Sequence, residues 1–206
     1  MLVVFYTKST HSIIKRKNIM ITRTEAMEIV MAQNPEQHLV HHALATEAVM
    51  RTLAARFGED AELWGLTGLL HDVDFPATRD LPERHGIEAM TIIGAGLPEE
   101  GLAAIRAHNA ECNGNAPSTR LDTALRCAET VTGLVSAAAL VRPTGMEGMQ
   151  ASSLKKKMKD KAFAASVSRD RIKECANIGL ELGDFLGLAI EAMTPAATEL
   201  GLTRPA

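Results

Sequence analysis

Aromatic residues are scarce in this 206-residue chain: one Trp, one Tyr and five Phe, 3% of the total. Sheets draw on aromatic and β-branched residues, so this poverty argues against a β-rich fold. Cysteine is also sparse. Cys112, Cys127 and Cys175 are odd in number and lack metal-ligand spacing, which excludes a disulfide framework. They read as the reduced thiols of a cytoplasmic protein. No apolar run approaches the roughly 20 residues that span a bilayer. A net charge of −3 leaves no basic excess to recruit nucleic acid or an anionic membrane surface.

Apolar residues make up 46% of the chain, and Ala, Leu and Met dominate among them. That mixture favours helices packed through small and flexible side chains. Strand-like alternation is confined to Leu2–Tyr6, and no internal repeat is present. The expected fold is all-α, a single-domain helical bundle over residues 21–195. Residues 1–20, basic at Lys15, Arg16 and Lys17, are expected to be a peripheral extension, and 196–206 a tail.

Helix signals punctuate the chain. Thr22 and Glu25 form a capping box for a first helix. Asn34 with Pro35 is expected to open a second, running to Phe57 and stopping at Gly58. Asp60 caps a third. Asp80, Pro82 and Glu83 are expected to start a helix with His85 in its first turn, and Pro98 opens another through His108. Thr119 and Asp122 form a second capping box, with a long helix to about Val141. Residues 143–161 read as a loop followed by a basic run, Lys155 to Lys161, and Ser168 starts a further helix.

The chemistry lies around LWGLTGLLHDVDF, residues 63–75, where an apolar helix ends in the pair His71-Asp72. Imidazole and carboxylate suit Mn, Fe, Zn or Mg. His42 sits at helical spacing with Leu39, Val49 and Leu53 and so faces the interior. His85 and His108 fall at helix ends, and Glu129 lies at the edge of a buried stripe. Buried polar groups without partners cost several kcal/mol each; one shared metal satisfies them together.

This pattern resembles the HD-domain superfamily of metal-dependent phosphohydrolases, whose ligands run His, His-Asp, Asp on separate helices. HHALATEAVM carries the first histidine, matched to His42, and LLHDVDF carries the pair. His85-Gly86 and His108 fall where two-metal members add histidines. LDTALRCAETVTGLVSAAALVRP resembles the helix bringing the final Asp, here Glu129. Asn109 stands where some two-metal members have a second histidine.

The resemblance implies one or two divalent ions per chain (Mn, Fe, Zn, Mg, Co or Ni). The implied ligands are His42, His71, Asp72, His85, His108 and Glu129, with Asp72 bridging where two ions bind. It implies hydrolysis of a nucleotide or another small phosphorylated metabolite by metal-activated water. Arg142 or a lysine of the 155–161 run is expected to meet the phosphate. Asp74 is either a hydrogen-bond acceptor for a ligand histidine or a turn residue. Two other classes stay open, a di-iron oxygenase of the same fold and a non-catalytic nucleotide-binding module, as does homo-oligomerisation.

Overall fold

The computed structural model describes residues 20–204. Eleven α-helices account for its regular structure, with two short 3-10 segments and no strand among the described residues. The helices are α1 Arg23–Ala32, α2 Gln37–Phe57, α3 Ala61–Leu70, α4 Phe75–Thr78, α5 Ala89–Ile93 and α6 Glu99–His108. They continue as α7 Ala110–Asn113, α8 Arg120–Leu140, α9 Ala151–Lys157, α10 Arg169–Lys173 and α11 Leu182–Met193. The all-α expectation holds. Of the extension expected at 1–20, residues 1–19 lie outside the described residues.

Local chemistry sets the boundaries. Thr22 and Glu25 close the capping box of α1, and Thr119 with Asp122 closes that of α8. Asp60 accepts from the N–H groups of Glu62 and Leu63 to start α3. Gly58, at φ +71°, ends α2 in the left-handed conformation. The expected cap at Asn34 is displaced: Asn34 itself adopts φ +54°, and α2 starts after Glu36.

α2 and α8, the two 21-residue helices, form the frame. α3 packs along α2, α6 lies on α8, and α11 closes the other side of α2. Val49, Met50, Leu53, Leu66, Leu69, Leu125, Leu134 and Phe185 fill the centre and are fully buried or nearly so. Fully burying one such side chain is worth about 1.5–3 kcal/mol.

Three further expectations need correction. The helix expected from Asp80 onward is mostly turns, and only Ala89–Ile93 is helical. Its backbone groups are taken by side chains instead: Asp74 accepts from the N–H groups of Gly86 and Ala89, and Asn109 and Asn113 donate to the His85 carbonyl. The basic run is partly helical, as α9. The expected tail at 196–206 is part of the core as far as Leu202. Ala197, Leu200 and Leu202 are buried, and the Met146 N–H donates to the Leu202 carbonyl.

Candidate metal centre

α3 is buried from Leu63 to Leu70 and delivers His71 immediately beyond Leu70. Its approach to α2 is close because residue 68 has no side chain. A methyl group there would stand 3.0 Å from the Thr46 carbonyl oxygen and 3.0 Å from Met50 Cγ. This proximity sets His71 over α2, with its Nε2 3.2 Å from His42 Nε2.

A second pair comes from the turn after α4 and the end of α6. His85 Nε2 and His108 Nε2 are 3.0 Å apart. Gly86 permits this junction twice over. Its φ is +82°, and a Cβ would stand 2.8 Å from the Ile105 carbonyl. Asp74, fully buried, holds the turn. One of its oxygens accepts from His85 Nδ1 at 2.9 Å, and the other from the N–H groups of Gly86 at 2.8 Å and Ala89 at 3.0 Å. Of the two roles expected for Asp74, the histidine acceptor is the one observed.

Asp72 stands between the pairs. Its Oδ1 lies 3.3 Å from His71 Nε2, 3.2 Å from His85 Nε2 and 3.4 Å from His108 Nε2. Its Oδ2 lies 3.6 Å from His42 Nε2. Two three-residue groups result, His42–His71–Asp72 and Asp72–His85–His108, and the aspartate belongs to both.

The outward side of each imidazole fixes its tautomer. His71 Nδ1 faces the Gly68 carbonyl at 2.8 Å and His108 Nδ1 the Ile105 carbonyl at 2.5 Å. His85 Nδ1 faces Asp74. Thr132 donates its hydroxyl hydrogen to the Glu129 carbonyl, so His42 Nδ1, at 3.2 Å, donates to the Thr132 oxygen. Assigned from these partners, every Nδ1 carries the proton and every Nε2 presents a lone pair inward. Four lone pairs and a carboxylate converging at 3.0–3.6 Å repel one another unless a cation lies among them. Nitrogens each about 2.0–2.1 Å from one metal stand about 2.9–3.3 Å apart. The donor set, its spacing and its anchored imidazoles fit a divalent ion with nitrogen and oxygen preferences.

The electrostatics agree. Burial opposes the Asp72 charge, but His71 and the contacts from His108 and His85 hold its carboxyl well below the usual carboxylate range. Burial also lowers His85, yet hydrogen bonds to Asp72 and Asp74 carry it up to about 10. Burial, reinforced by His71, pushes His42 down. A positive charge is favoured on the Asp72–Asp74 side, and either a proton or a metal cation supplies it.

Five of the six expected metal-site residues are thus brought together, and Glu129 is not among them. Its carboxylate accepts from Thr130 Oγ1 at 2.6 Å and from Arg171 Nη1 at 3.2 Å. Arg142 is also misplaced by the sequence expectation. It lies beyond the end of α8, about 15 Å along the helix from Thr132 at 1.5 Å per residue. Its guanidinium is spent on Gly145, Thr144 and Glu147. In the basic run, Lys157 sits over the Phe163 ring at 3.8 Å, and neither it nor its neighbours lines the cavity beside His42. Asn109 donates to the Pro82 and His85 carbonyls and does not point at the metal group.

That cavity, about 560 Å³, is walled by His42, Glu129, Thr130, Ser166, Ser168 and Arg171, with Glu111 at its edge. Arg171 was not legible in the sequence. It has no motif around it, and only the fold carries α10 to α8. Arg126, one turn before Thr130 on α8, is buried. It donates to the Ala107 and His108 carbonyls and pairs with Glu111 and Glu174, which fixes the end of α6.

The all-helical bundle brings four histidines onto one aspartate, a donor set that could hold a metal ion. The HD domain family model matches residues 39–160, more than half of the chain, and the chain belongs to that family. Its members are generally metal-dependent hydrolases. No curated protein and no solved structure matches the chain. Among the described residues no helix is long and apolar enough to cross a membrane.

Proposed function

We propose that this HD-domain protein hydrolyses a phosphate ester of a nucleotide or another small metabolite, with one or two divalent metal ions on His42, His71, Asp72, His85 and His108. The observation that carries this is the inward convergence of four Nε2 atoms on the divided carboxylate of Asp72, beside a cavity wide enough for a small organic phosphate. A bound divalent metal supplies a Lewis acid for a phosphoryl oxygen and acidifies a water at neutral pH. The chain's own groups do the rest. Asp72 turns Oδ1 to His71, His85 and His108 and Oδ2 to His42, and offsets positive charge. Gly68, Ile105, Asp74 and Thr132 fix the four rings through their Nδ1 atoms, so the donors need no reorganisation. Arg171 and the hydroxyls of Thr130, Ser166 and Ser168 line the space where phosphate oxygens would lie, and an arginine gives charge-assisted, two-point contact there. Arg171 takes the role first expected of Arg142. Its present partners, Glu129 and Glu111, keep it extended over the cavity.

The test joins elemental analysis of the protein purified without chelator to a screen of phosphorylated metabolites with each of Mn, Fe, Zn, Mg, Co and Ni. The expected result is at least one divalent ion per chain and turnover of some ester, both lost in His71→Ala. No metal under any loading condition refutes the proposal. Turnover that consumes O2 on the iron-loaded protein replaces it with the oxygenase class, and nucleotide binding without turnover replaces it with the binding module.

A further inference from the structure

The charged cavity has a neighbour. A second cavity of about 350 Å³ adjoins it, and the two share His42 and Gly133. Their walls differ in chemistry. The first is lined by Arg171, carboxylates and hydroxyls, with Val167 beside them. The second is walled mainly by Leu39 of α2, Leu140 of α8, and Leu200 and Leu202 of the C-terminal segment, and His38, His41, His42 and Ser136 complete it. Leu200 and Leu202 are buried, and Leu140 is half exposed at the mouth.

Gly133 lies in the middle of α8, where glycine is the least favourable residue after proline. A methyl group at 133 would stand 3.2 Å from Val167 Cγ2, so that valine would have to give by a few tenths of an ångström. Both cavities reach the bare backbone at Gly133, next to His42.

We infer that the substrate is amphiphilic: its phosphate lies in the cavity beside His42 and Arg171, and an apolar arm passes Gly133 into the chamber of Leu39, Leu140, Leu200 and Leu202. The inference rests on the phosphate-ester proposal and narrows it to a monoester of an apolar alcohol. Most of the wall is leucine, and sugar hydroxyls turned to Leu39, Leu140, Leu200 and Leu202 would lie without partners there, which is unfavourable. Apolar cavities of about 150 Å³ take up benzene. A chamber of about 350 Å³ therefore has room for roughly twice that, a fused bicycle or an alkyl chain of roughly six carbons.

The test is calorimetric titration of the metal-loaded full chain, under nitrogen, with n-alkylphosphonates from methyl to hexyl, beside hydrolysis of the corresponding alkyl phosphates. Burial of one methylene is worth about fourfold in affinity, so Kd should fall about fourfold per carbon until the chamber fills. Ser136→Phe, which fills the chamber, and Leu140→Glu, which charges its mouth at a half-exposed position, should each flatten the series. The second variant keeps the test valid if the first fails to fold. A flat series in the unaltered protein, or a slope that survives both substitutions, overturns the inference. Hydrolysis of methyl phosphate with a flat phosphonate series removes the apolar arm and leaves the hydrolase proposal standing. A steep series abolished by the variants, with no ester hydrolysed, supports the chamber and removes the hydrolase proposal.

Discussion

Asp74→Asn probes the centre without touching a group that faces the metal position. The carboxylate is fully buried and accepts three hydrogen bonds, from His85 Nδ1, Gly86 N–H and Ala89 N–H. Asparagine has one acceptor oxygen and one NH2 group, so it cannot serve both sides. Turning its NH2 towards the two backbone donors would strand them in the interior, at about 1–3 kcal/mol each. Turning its oxygen to the backbone is cheaper, and then its NH2 faces His85 Nδ1. His85 responds by accepting at Nδ1 and carrying its proton on Nε2, which removes the lone pair aimed at Asp72. The expected cost is about 10–100-fold in metal affinity, the range for loss of a partner that orients a ligand histidine, or about 1.4–2.8 kcal/mol by the usual conversion. Chelator competition on the folded variant measures it, with circular dichroism as the control for structure. The loss should fall on the Asp72–His85–His108 group and spare the His42–His71 side. Unchanged affinity in a folded Asp74→Asn protein would refute the tautomer argument, and so would equal loss from both groups.

Four other outcomes are expected. Asp72→Asn should keep the fold, held by Leu63, Leu66, Leu69 and Leu70, and lower activity by orders of magnitude; near-normal turnover would show that the carboxylate is misassigned. His85→Ala and His108→Ala should each halve a two-metal stoichiometry by elemental analysis, and unchanged content in both would make these histidines structural. Gly68→Ala must push α3 away from the Thr46 carbonyl and should destabilise by about 1–3 kcal/mol, as overpacking does, with easier loss of metal; an unaltered Tm would contradict the close approach. Glu111, paired with Arg126 and then Arg171, has its carboxyl moved from 4.5 down to about 2. Its contribution is therefore present above about pH 4.5 and shed as pH falls towards 2. Because its side chain is half exposed, water screens the pair and the effect is modest. Glu111→Gln should flatten that part of the Tm–pH curve, and an unchanged curve would count against the pairing.

What was legible in the sequence was whatever depends on neighbours in the chain. Capping boxes at Thr22 and Thr119, the Asp60 cap and the Gly58 stop are written within a few residues, and they place α1, α3, α8 and the end of α2. His42 was legible because helical periodicity turns it inward, and the His71-Asp72 pair because an apolar helical run ends on it. The 80–88 turn was not, since distant side chains hold it: Asp74 from one side, Asn109 and Asn113 from the other. A local pattern of Asp, Pro and Glu there suggests a helix start, but long-range hydrogen bonds to the same backbone groups override it. The C-terminal segment was misjudged for a related reason. Its three buried apolar residues show no period that a helix or strand would have, and their burial depends on α8 and the 145–149 turn.

Glu129 illustrates the limit most sharply. Its place on α8 is right: one turn on, Thr132 touches His42, and its own backbone carbonyl accepts the Thr132 hydroxyl. Helix geometry determines which residues share that face, and the resemblance makes 129 the final ligand. A side chain one methylene longer than aspartate has a choice of partners that helix geometry does not decide. Here Arg171, 42 residues further along the chain, draws the carboxylate to the wall of the charged cavity. The same displacement that removes Glu129 from the histidine groups holds Arg171 at the wall of the charged cavity. The departure from the family pattern and the appearance of an arginine outside any motif are therefore one structural event.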